Sequence, residues 1–310
     1  MLGTLRFAQP TSTSLRQSAA NLFCFSQSGL LQSPAPIFTN LAMTDAYAVF
    51  GNPIAHSKSP LIHTAFARQT GQDIAYSALL SPLDGFAEAV ADFRRQGGCG
   101  ANVTVPFKEQ AFTLATRLSP RAQAAGAVNT LKFESDDLYG DNTDGAGLVR
   151  DLTANLGLDL AGRRILLMGA GGAARGVILP LLERQPDCLF IANRTASKAV
   201  GLAQVMGAGK RLSAGGYADL SGQFDLVINA TAASLAGDLP PLPAAIFAPD
   251  ALAYDMMYCK DTPFLAFARE RSVRTADGLG MLVEQAAEAF LLWRGVRPET
   301  VPVMQLLRGV

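Results

Sequence analysis

The stretch Arg163–Thr195, RRILLMGAGGAARGVILPLLERQPDCLFIANRT, constrains the fold more than any other part of the chain. An apolar run, Ile165–Met168, leads at once into Gly169-Ala170-Gly171-Gly172-Ala173-Ala174; Gly176–Leu182 then reads as helix and Cys188–Ala192 as a second apolar run. That order is strand, tight turn, helix, strand. The turn fits G-x-G-x-x-A, in which the first glycine permits the turn, the second lets backbone approach a pyrophosphate, and the third small residue lets helix pack on strand. The helix N-terminus supplies free N–H groups and a positive dipole end to phosphates. Glycine-rich turns without a ligand are common, so the flanks decide. About 20 residues further on, where an NAD site places an acid for the ribose 2′-hydroxyl, the chain reads Asn193-Arg194-Thr195, with Lys198 one turn later. An acid there repels a 2′-phosphate, whereas two cations and a hydroxyl attract one. The expected cofactor is therefore NADP(H). The competing reading makes Thr195 the N-cap of a helix Ala196–Met206 and leaves both cations solvated.

Composition narrows the partners. With 310 residues, 49% hydrophobic and 17% charged, the chain suffices for two well-filled cores. Lys+Arg and Asp+Glu both number 26, and no basic run stands out, so neither nucleic acid nor an anionic membrane is an expected partner. The four cysteines, Cys24, Cys99, Cys188 and Cys259, show no C-x-x-C spacing, and His56 and His63 are the only histidines. A disulfide framework or a zinc site is not expected, which fits a reducing, cytoplasmic compartment. No apolar run approaches the roughly 20 residues of a membrane span. Residues 1–42 differ from the rest in holding ten Ser or Thr, no acid, and only Arg6 and Arg16 as charges. They read as an organelle transit peptide or as an over-long start before Met43, and in either case as a poorly ordered arm.

From Ala46 the chain alternates: strand Ala46–Phe50, helix Pro60–Gln69, strand Ala75–Leu80, helix Leu83–Gln96, strand Ala101–Val105, helix Phe107–Arg117. Such alternation predicts an α/β protein with a mostly parallel sheet covered by helices. Val128–Phe133 and Leu138–Tyr139 read as a hairpin, and a helix near Ala146–Leu156 leads to the nucleotide unit. Strands near Leu226–Ala230 and Ala251–Asp255 follow, separated by a Pro-rich loop, Leu239–Pro249. The last long helix, about Met281–Trp293, puts Leu282, Gln285, Ala286, Ala289 and Trp293 on one face. A polar Gln285 on that face needs a partner. Only the second sheet carries a phosphate fingerprint, which leaves the first for the substrate.

Several polar residues stand where strands end and helices begin, the places open α/β sheets use for ligands. Ser59, followed by Pro60 at the first helical position, is an expected N-cap; Ser57 has no such role. Asn102-Val103-Thr104-Val105-Pro106-Phe107-Lys108 carries a strand into a helix and places Lys108 in its first turn. A cation there faces the unfavourable end of the dipole, at a cost of a few tenths to about 1 kcal/mol, so Lys108 is either a proton-exchanging group or a solvated surface lysine. Asp144, just before a helix, is a cap or a catalyst. Asn129 is a turn residue or a ligand, and Tyr258 a core aromatic or a ligand. His56, beside a Pro-rich turn, is set aside as structural.

With these clusters in view, the chain from about Tyr47 to its end resembles the shikimate dehydrogenase family. The motifs that carry the resemblance, in order, are FGNPIAHSKSP, GANVTVPFKE, AGAVNT, GDNTDG, GAGGAARG, NRT, INAT, YDMMY and ADGLGMLVEQAA. The resemblance implies an N-terminal α/β substrate domain completed by the C-terminal helix, a Rossmann-type NADP domain, and an active site in the cleft between them. In this chain the expected division is 43–143 with 279–310 for substrate and catalysis, and 144–278 for NADP. It implies reversible NADPH-dependent reduction of 3-dehydroshikimate to shikimate, in aromatic amino-acid and chorismate synthesis, by a monomer or homodimer without a metal. Lys108 and Asp144 match the catalytic pair. Ser57 and Ser59 match carboxylate-binding hydroxyls, and Thr104, Asn129, Asp144, Tyr258 and Gln285 match ligands of the substrate's polar groups. Gly169, Ala170, Gly171, Gly172, Ala173, Asn193, Arg194, Thr195, Lys198, Met256 and Gly278 match the cofactor contacts. Two departures stand out: Ala232-Ala233-Ser234-Leu235 lacks the Ser and Gly expected after INAT, and residues 1–42 have no counterpart in the typical bacterial enzyme. The rival readings are a relative acting on quinate with NAD, and a non-catalytic NADP sensor; the second has no need of Lys108 together with Asp144.

Overall fold

The computed structural model describes residues 44–207, 209–231, 238–258 and 260–309. The expectations for residues 1–42 and for Ala232–Leu235 lie outside these described residues. The chain from Thr44 builds two six-stranded sheets. In the first, β1 (Asp45–Gly51), β2 (Ile74–Leu80), β3 (Gly98–Val103), β4 (Arg117–Leu118), β5 (Thr130–Phe133) and β6 (Leu138–Asp141) take the order β2-β1-β3-β5-β6-β4. β1, β2 and β3 run parallel, while β5 pairs antiparallel with both β3 and β6, as the predicted hairpin requires. The second sheet comprises β7 (Arg164–Met168), β8 (Cys188–Ala192), β9 (Leu212–Gly215), β10 (Phe224–Asn229), β11 (Phe247–Asp255) and β12 (Arg274–Asp277). Its order is β12-β11-β10-β7-β8-β9 and every pairing is parallel. β7 lies centrally, so the glycine turn that follows it opens at the point where strand order reverses, the place such sheets use for ligands.

Among the described residues the α-helices are α1 (Ser59–Thr70), α2 (Phe86–Arg95), α3 (Lys108–Leu114), α4 (Pro120–Ala125), α5 (Asp144–Arg150), α6 (Gly172–Glu183), α7 (Ala196–Met206), α8 (Pro263–Arg269), α9 (Leu279–Arg294) and α10 (Val301–Arg308). Sequence periodicity missed β4, α4, β9, α8, β12 and α10, which are too short to show a period. Local chemistry still explains some of them: Ser119 caps α4 by accepting the Ala122 N–H, and Thr262 caps α8 by accepting the Leu265 N–H. Three boundaries also move. α3 stops at Leu114 because Ala115 is extended (φ −66°, ψ 132°), and Arg117 becomes a strand residue. The helix expected at Ala146–Leu156 starts at Asp144 and passes at Asp151–Asn155 into a π-helical turn. The Pro-rich loop gives way to β11 at Phe247.

Each sheet has its own core. Phe50, Phe86, Val103, Phe107, Val128 and Leu131 pack on one face of the first, and Ile165, Leu167, Ala174, Val177, Leu181 and Ile228 on the second. At about 1.5–3 kcal/mol for each large apolar side chain removed from water, these cores dominate the stability of their sheets. α9 joins the two. Its Val283, Ala286, Ala287 and Phe290 pack with Ile62 and Phe66 of α1, while Met281 belongs to the core of the second sheet. Trp293 stacks on Tyr47 with ring centroids 4.6 Å apart, and its Nε1–H donates to the Leu131 carbonyl at 3.0 Å. Glu284, only 1% exposed, fixes the same helix through Arg150 at 3.1 Å, Arg297 at 3.2 Å and the Thr300 hydroxyl at 2.7 Å. Of the expected apolar face of α9, Ala286, Ala289 and Trp293 are buried, and Leu282 and Gln285 half-buried.

Candidate active site

Two short helices begin on the residues that matter. Lys108 is the first residue of α3 and Asp144 the first of α5. Lys108 Nζ donates to Asp144 Oδ2 at 2.5 Å, with the two side chains 17% and 8% exposed. The other carboxylate oxygen, Oδ1, accepts from Asn129 Nδ2 at 2.8 Å. A charge-assisted bond so shielded from water is stronger and better oriented than a surface ion pair. Asp144 is no N-cap, because Thr143 holds that position. Asn129 is no mere turn residue: its Oδ1 accepts the Thr143 N–H at 2.9 Å, which fixes the amide with its NH₂ toward Asp144. Gln285 finds its partners here, with Oε1 3.3 Å from Asn129 Nδ2 and Nε2 donating to the Leu282 carbonyl at 2.9 Å.

The local sequence explains how Asp144 reaches this place. α5 passes between α6 and α9 with glycine at the contacts. A Cβ on Gly145 would lie 2.3 Å from Pro180 Cγ, and one on Gly147 would lie 2.7 Å from Gln285 Cβ. Gly176 of α6 approaches so closely that its Cβ would sit 3.4 Å from Asp144 Cβ. The carboxylate is thus one helical turn from Gly172, where the glycine turn enters α6. The other aspartate of the same motif does different work. Asp141, 3% exposed, receives Arg121 through Nε at 2.7 Å and Nη2 at 2.6 Å, and the Ser119 hydroxyl at 2.5 Å. Burial alone would raise its carboxyl, but Arg121, Ser119 and the Asn142 N–H outweigh burial and hold it below the usual range.

The remaining expected substrate residues lie on other segments of the chain. Ser59 is buried and Ser57 half-buried, but the helix begins at Ser59 itself, with Lys58 as the flanking residue. Ser59 is therefore not the N-cap; its N–H donates to Ser57 Oγ at 3.3 Å, which gives Ser57 the local role the sequence did not suggest. Thr104, half-buried, directs its methyl at Gly51, where a Cβ would meet it at 2.6 Å. Tyr258 is half-buried just past β11 and belongs to none of the described core clusters. His56 is exposed; the histidine built into packing is His63, fully buried. Asn102, Thr130 and Thr143 are buried polar residues of the same cluster that the sequence did not single out. A polar Asn102 in an otherwise apolar strand was a legible sign. Thr130 and Thr143 gave none, because threonine suits a strand or a cap equally well.

The glycine turn has the features of a dinucleotide cradle. Gly169 holds φ +115°, and a Cβ there would press to 2.9 Å from the Ala230 carbonyl oxygen, so this position needs glycine for the chain itself. Gly171 and Gly172 are different: a Cβ on either would meet nothing within 4 Å. Nothing in the chain demands glycine at these two positions, whereas a pyrophosphate against the backbone does. Ala170 and Ala173 flank them half-buried, and Ala174 is fully buried in the core, as the packing residue of the fingerprint must be. At the end of β8, Arg194, Thr195 and Lys198 are exposed. Neither Arg194 nor Lys198 forms an ion pair among the described residues, and Thr195 occupies the N-cap of α7 without a side-chain cap bond. Asn193 Nδ2 donates to the Thr195 carbonyl at 3.0 Å and braces this corner. Arg194 lies near Tyr217, whose hydroxyl burial pushes up to about 12 against the pull of that cation. Met256 is half-buried at the end of β11, and Gly278 packs on it so tightly that a Cβ would lie 2.3 Å from the Met256 carbonyl oxygen. Among the described residues no cluster of His, Cys, Asp and Glu is arranged to hold a metal, and no helix is long and apolar enough to cross a membrane.

A mixed sheet ending in a largely shielded lysine–aspartate pair, beside an all-parallel sheet with a glycine-rich turn, defines a two-sheet α/β protein with a Rossmann-type half. Three family models match it: the shikimate dehydrogenase substrate binding domain over residues 49–131, the shikimate / quinate 5-dehydrogenase model over 151–236, and the shikimate 5'-dehydrogenase C-terminal domain over 278–308. The chain belongs to the shikimate dehydrogenase family. It is 65% identical over 270 residues to the shikimate dehydrogenase (NADP(+)) of Nitrosospira multiformis, an alignment covering 86% of this chain and 98% of that one. Among solved structures, an Ael1 enzyme from Pseudomonas putida superposes with TM-score 0.81 at 53% identity, covering 85% of this chain and 98% of the other. The shikimate 5-dehydrogenase of Thermus thermophilus in complex with NADP(H) and shikimate superposes with TM-score 0.75 at 33% identity, covering 86% and 99%.

Proposed function

We propose that Lys108 and Asp144 are the acid–base pair of an NADP-dependent shikimate dehydrogenase, which reversibly reduces 3-dehydroshikimate to shikimate on the way to chorismate and the aromatic amino acids. The observation that carries this reading is the shielded Lys108–Asp144 contact at 2.5 Å, with Asn129 holding the second carboxylate oxygen at 2.8 Å. When bound, NADPH supplies the hydride. Lys108 then gives its proton to the oxygen forming at C3 and takes it back in the reverse direction. Asp144 orients the substrate hydroxyl and stabilises the charged lysine. A lysinium already in place stabilises the developing oxyanion without further reorganisation. Ser57 and Ser59 donate their hydroxyls to the substrate carboxylate, and Thr104, Asn129, Tyr258 and Gln285 receive its remaining polar groups.

On the cofactor side the residues present fit the group. The open Cβ directions at Gly171 and Gly172 leave room for a pyrophosphate to lie against the backbone there. Arg194, Thr195 and Lys198 take the 2′-phosphate, with Asn193 bracing them and Met256 and Gly278 bordering the nicotinamide end. The working division is residues 43–143 with 279–310 for substrate and 144–278 for NADP, and the enzyme acts in the cytoplasm. The test is a set of initial rates with shikimate and quinate, each paired with NADP and NAD, followed by the absorbance of reduced nicotinamide. Fast turnover with shikimate and NADP alone is the expected result; turnover led by quinate or NAD assigns the chain to that chemistry instead, and silence from folded, NADPH-binding protein assigns it to sensing.

A further inference from the structure

Tyr76 on β2 is absent from the machinery described so far, yet it stands at the far end of a hydrogen-bonded chain that reaches Asp144. Its hydroxyl meets Asn102 Oδ1 at 2.7 Å. Asn102 Nδ2 meets the Asn129 carbonyl at 3.2 Å and Thr130 Oγ1 at 3.1 Å. Thr130 Oγ1 meets Asn129 Oδ1 at 2.9 Å, and Asn129 Nδ2 meets Asp144 Oδ1 at 2.8 Å.

The chemistry of each atom gives this chain a direction. A backbone carbonyl only accepts, so the end of Asn102 at Asn129 is its NH₂, and its Oδ1 needs a donor. Tyr76 is that donor. Because Asn102 spends its second N–H on the Thr130 oxygen, the Thr130 proton is free to go to Asn129 Oδ1. That bond acts together with the Thr143 N–H, which donates to the same oxygen at 2.9 Å, to keep the Asn129 NH₂ on the Asp144 carboxylate. The phenol ring is clamped, with His63 stacked on it at 4.2 Å and 4° and Trp293 6.3 Å away. The neighbours are also electrically quiet: burial pushes the His63 imidazole down to about 3, with Asn102 pulling the other way, so His63 is neutral. Burial holds the Tyr76 hydroxyl well above the usual phenol range, so its proton is always present to donate, and the Ser59 hydroxyl is the group pulling against burial.

We propose that Tyr76 is a positioning residue of the reaction, anchoring Asn102 and through it Thr130, and so helping to hold the Asn129 amide against Asp144. The inference rests on the reading of Asn129 and Asp144 as site residues. With Tyr76→Phe, Asn102 Oδ1 is buried without a donor and the Asn102 amide loses its anchor on that side, which loosens its hold on Thr130 Oγ1 and so the Thr130 bond to Asn129. One neutral buried hydrogen bond of this kind corresponds to about a fivefold change.

The test is steady-state kinetics of Tyr76→Phe, Thr130→Val, the double variant and Thr130→Ser, with shikimate and NADP. Each of the first two should lower kcat about fivefold while KM for NADP stays within about twofold, since the contact lies away from the cofactor turn. The double variant should be no worse than about twofold below either single one, because both cut one chain. Thr130→Ser, which keeps the hydroxyl, should retain kcat. If Tyr76→Phe is too unstable to assay, the contrast between Thr130→Val and Thr130→Ser decides alone. Unchanged kcat in Tyr76→Phe, multiplying losses in the double variant, or equal loss in Thr130→Ser and Thr130→Val overturns the assignment while leaving the function intact. A wild-type protein that is silent with shikimate and NADP overturns the function itself and this inference with it.

Discussion

The C-terminal ends of the two sheets are built on opposite principles. At the first, Lys108, Asn129, Thr143 and Asp144 bind one another through side chains that are buried or half-buried. At the second, Gly171 and Gly172 leave backbone facing open space, and Arg194 and Lys198 stand exposed without an ion pair among the described residues. The difference follows from the work proposed for each. A proton transfer needs its donor held within a few tenths of an ångström before the substrate arrives, which buried hydrogen bonds accomplish. A phosphate-bearing ligand brings its own charge and needs only donors and cations that are not already engaged.

This contrast can be broken at either end. The largest expected effect is that of Lys108→Ala, which should lower kcat about a hundredfold or more, the ordinary worth of general acid–base catalysis, while KM for NADP stays within about twofold. A near-normal kcat removes Lys108 from the chemistry. Next comes Asp141→Asn, which leaves Arg121 without its buried partner and should cost about 2–3 kcal/mol in urea unfolding at neutral pH. Because the folded-state carboxyl of Asp141 is held below the usual carboxylate range by Arg121 and Ser119, its stabilisation is present above about pH 4. It is lost as the pH falls through the folded value, so the gap between variant and wild type should close in acid; a gap that persists there contradicts the ion-pair account.

At the other end, Arg194→Ala should raise KM for NADP about tenfold, as expected for one charge-assisted contact to a phosphate at an exposed site, and leave KM for NAD unchanged. Equal effects on both cofactors would mean that Arg194 does not read the 2′-phosphate. Smallest is Gly171→Ala. Its Cβ meets nothing within 4 Å, so thermal melting should stay within about 1 °C of wild type, yet KM for NADP should rise several-fold because the methyl occupies the path of the pyrophosphate. A loss of stability without a change in KM would place the need for glycine in the chain rather than in the ligand.

Much of this could be read in advance where the pattern is local. β7, β8 and α7 lie within one residue of the expected spans, because their apolar runs and flanking glycines are long enough to show a period. Lys108 and Asp144 were legible as cations and acids placed at helix starts. The Ser59 cap failed by one residue, since Lys58 adopts an αR conformation that the dipeptide Ser-Pro does not reveal. Short elements such as α4 and β9 were invisible, and so was the role of Glu284, which is buried among arginines up to 134 residues distant in sequence.

What the sequence determined by itself was the class of each half and the kind of chemistry available: a glycine fingerprint with cations after it, and proton-exchanging groups where strands end. Those are consequences of neighbours along the chain, of periodicity, caps and turn residues. Only the tertiary structure decided which of two aspartates three residues apart meets Lys108 and which meets Arg121, and it alone linked Tyr76 to Asp144 through three strands and a loop. Hydrogen-bond direction depends on which donor faces which acceptor after packing, and no spacing along a chain encodes that.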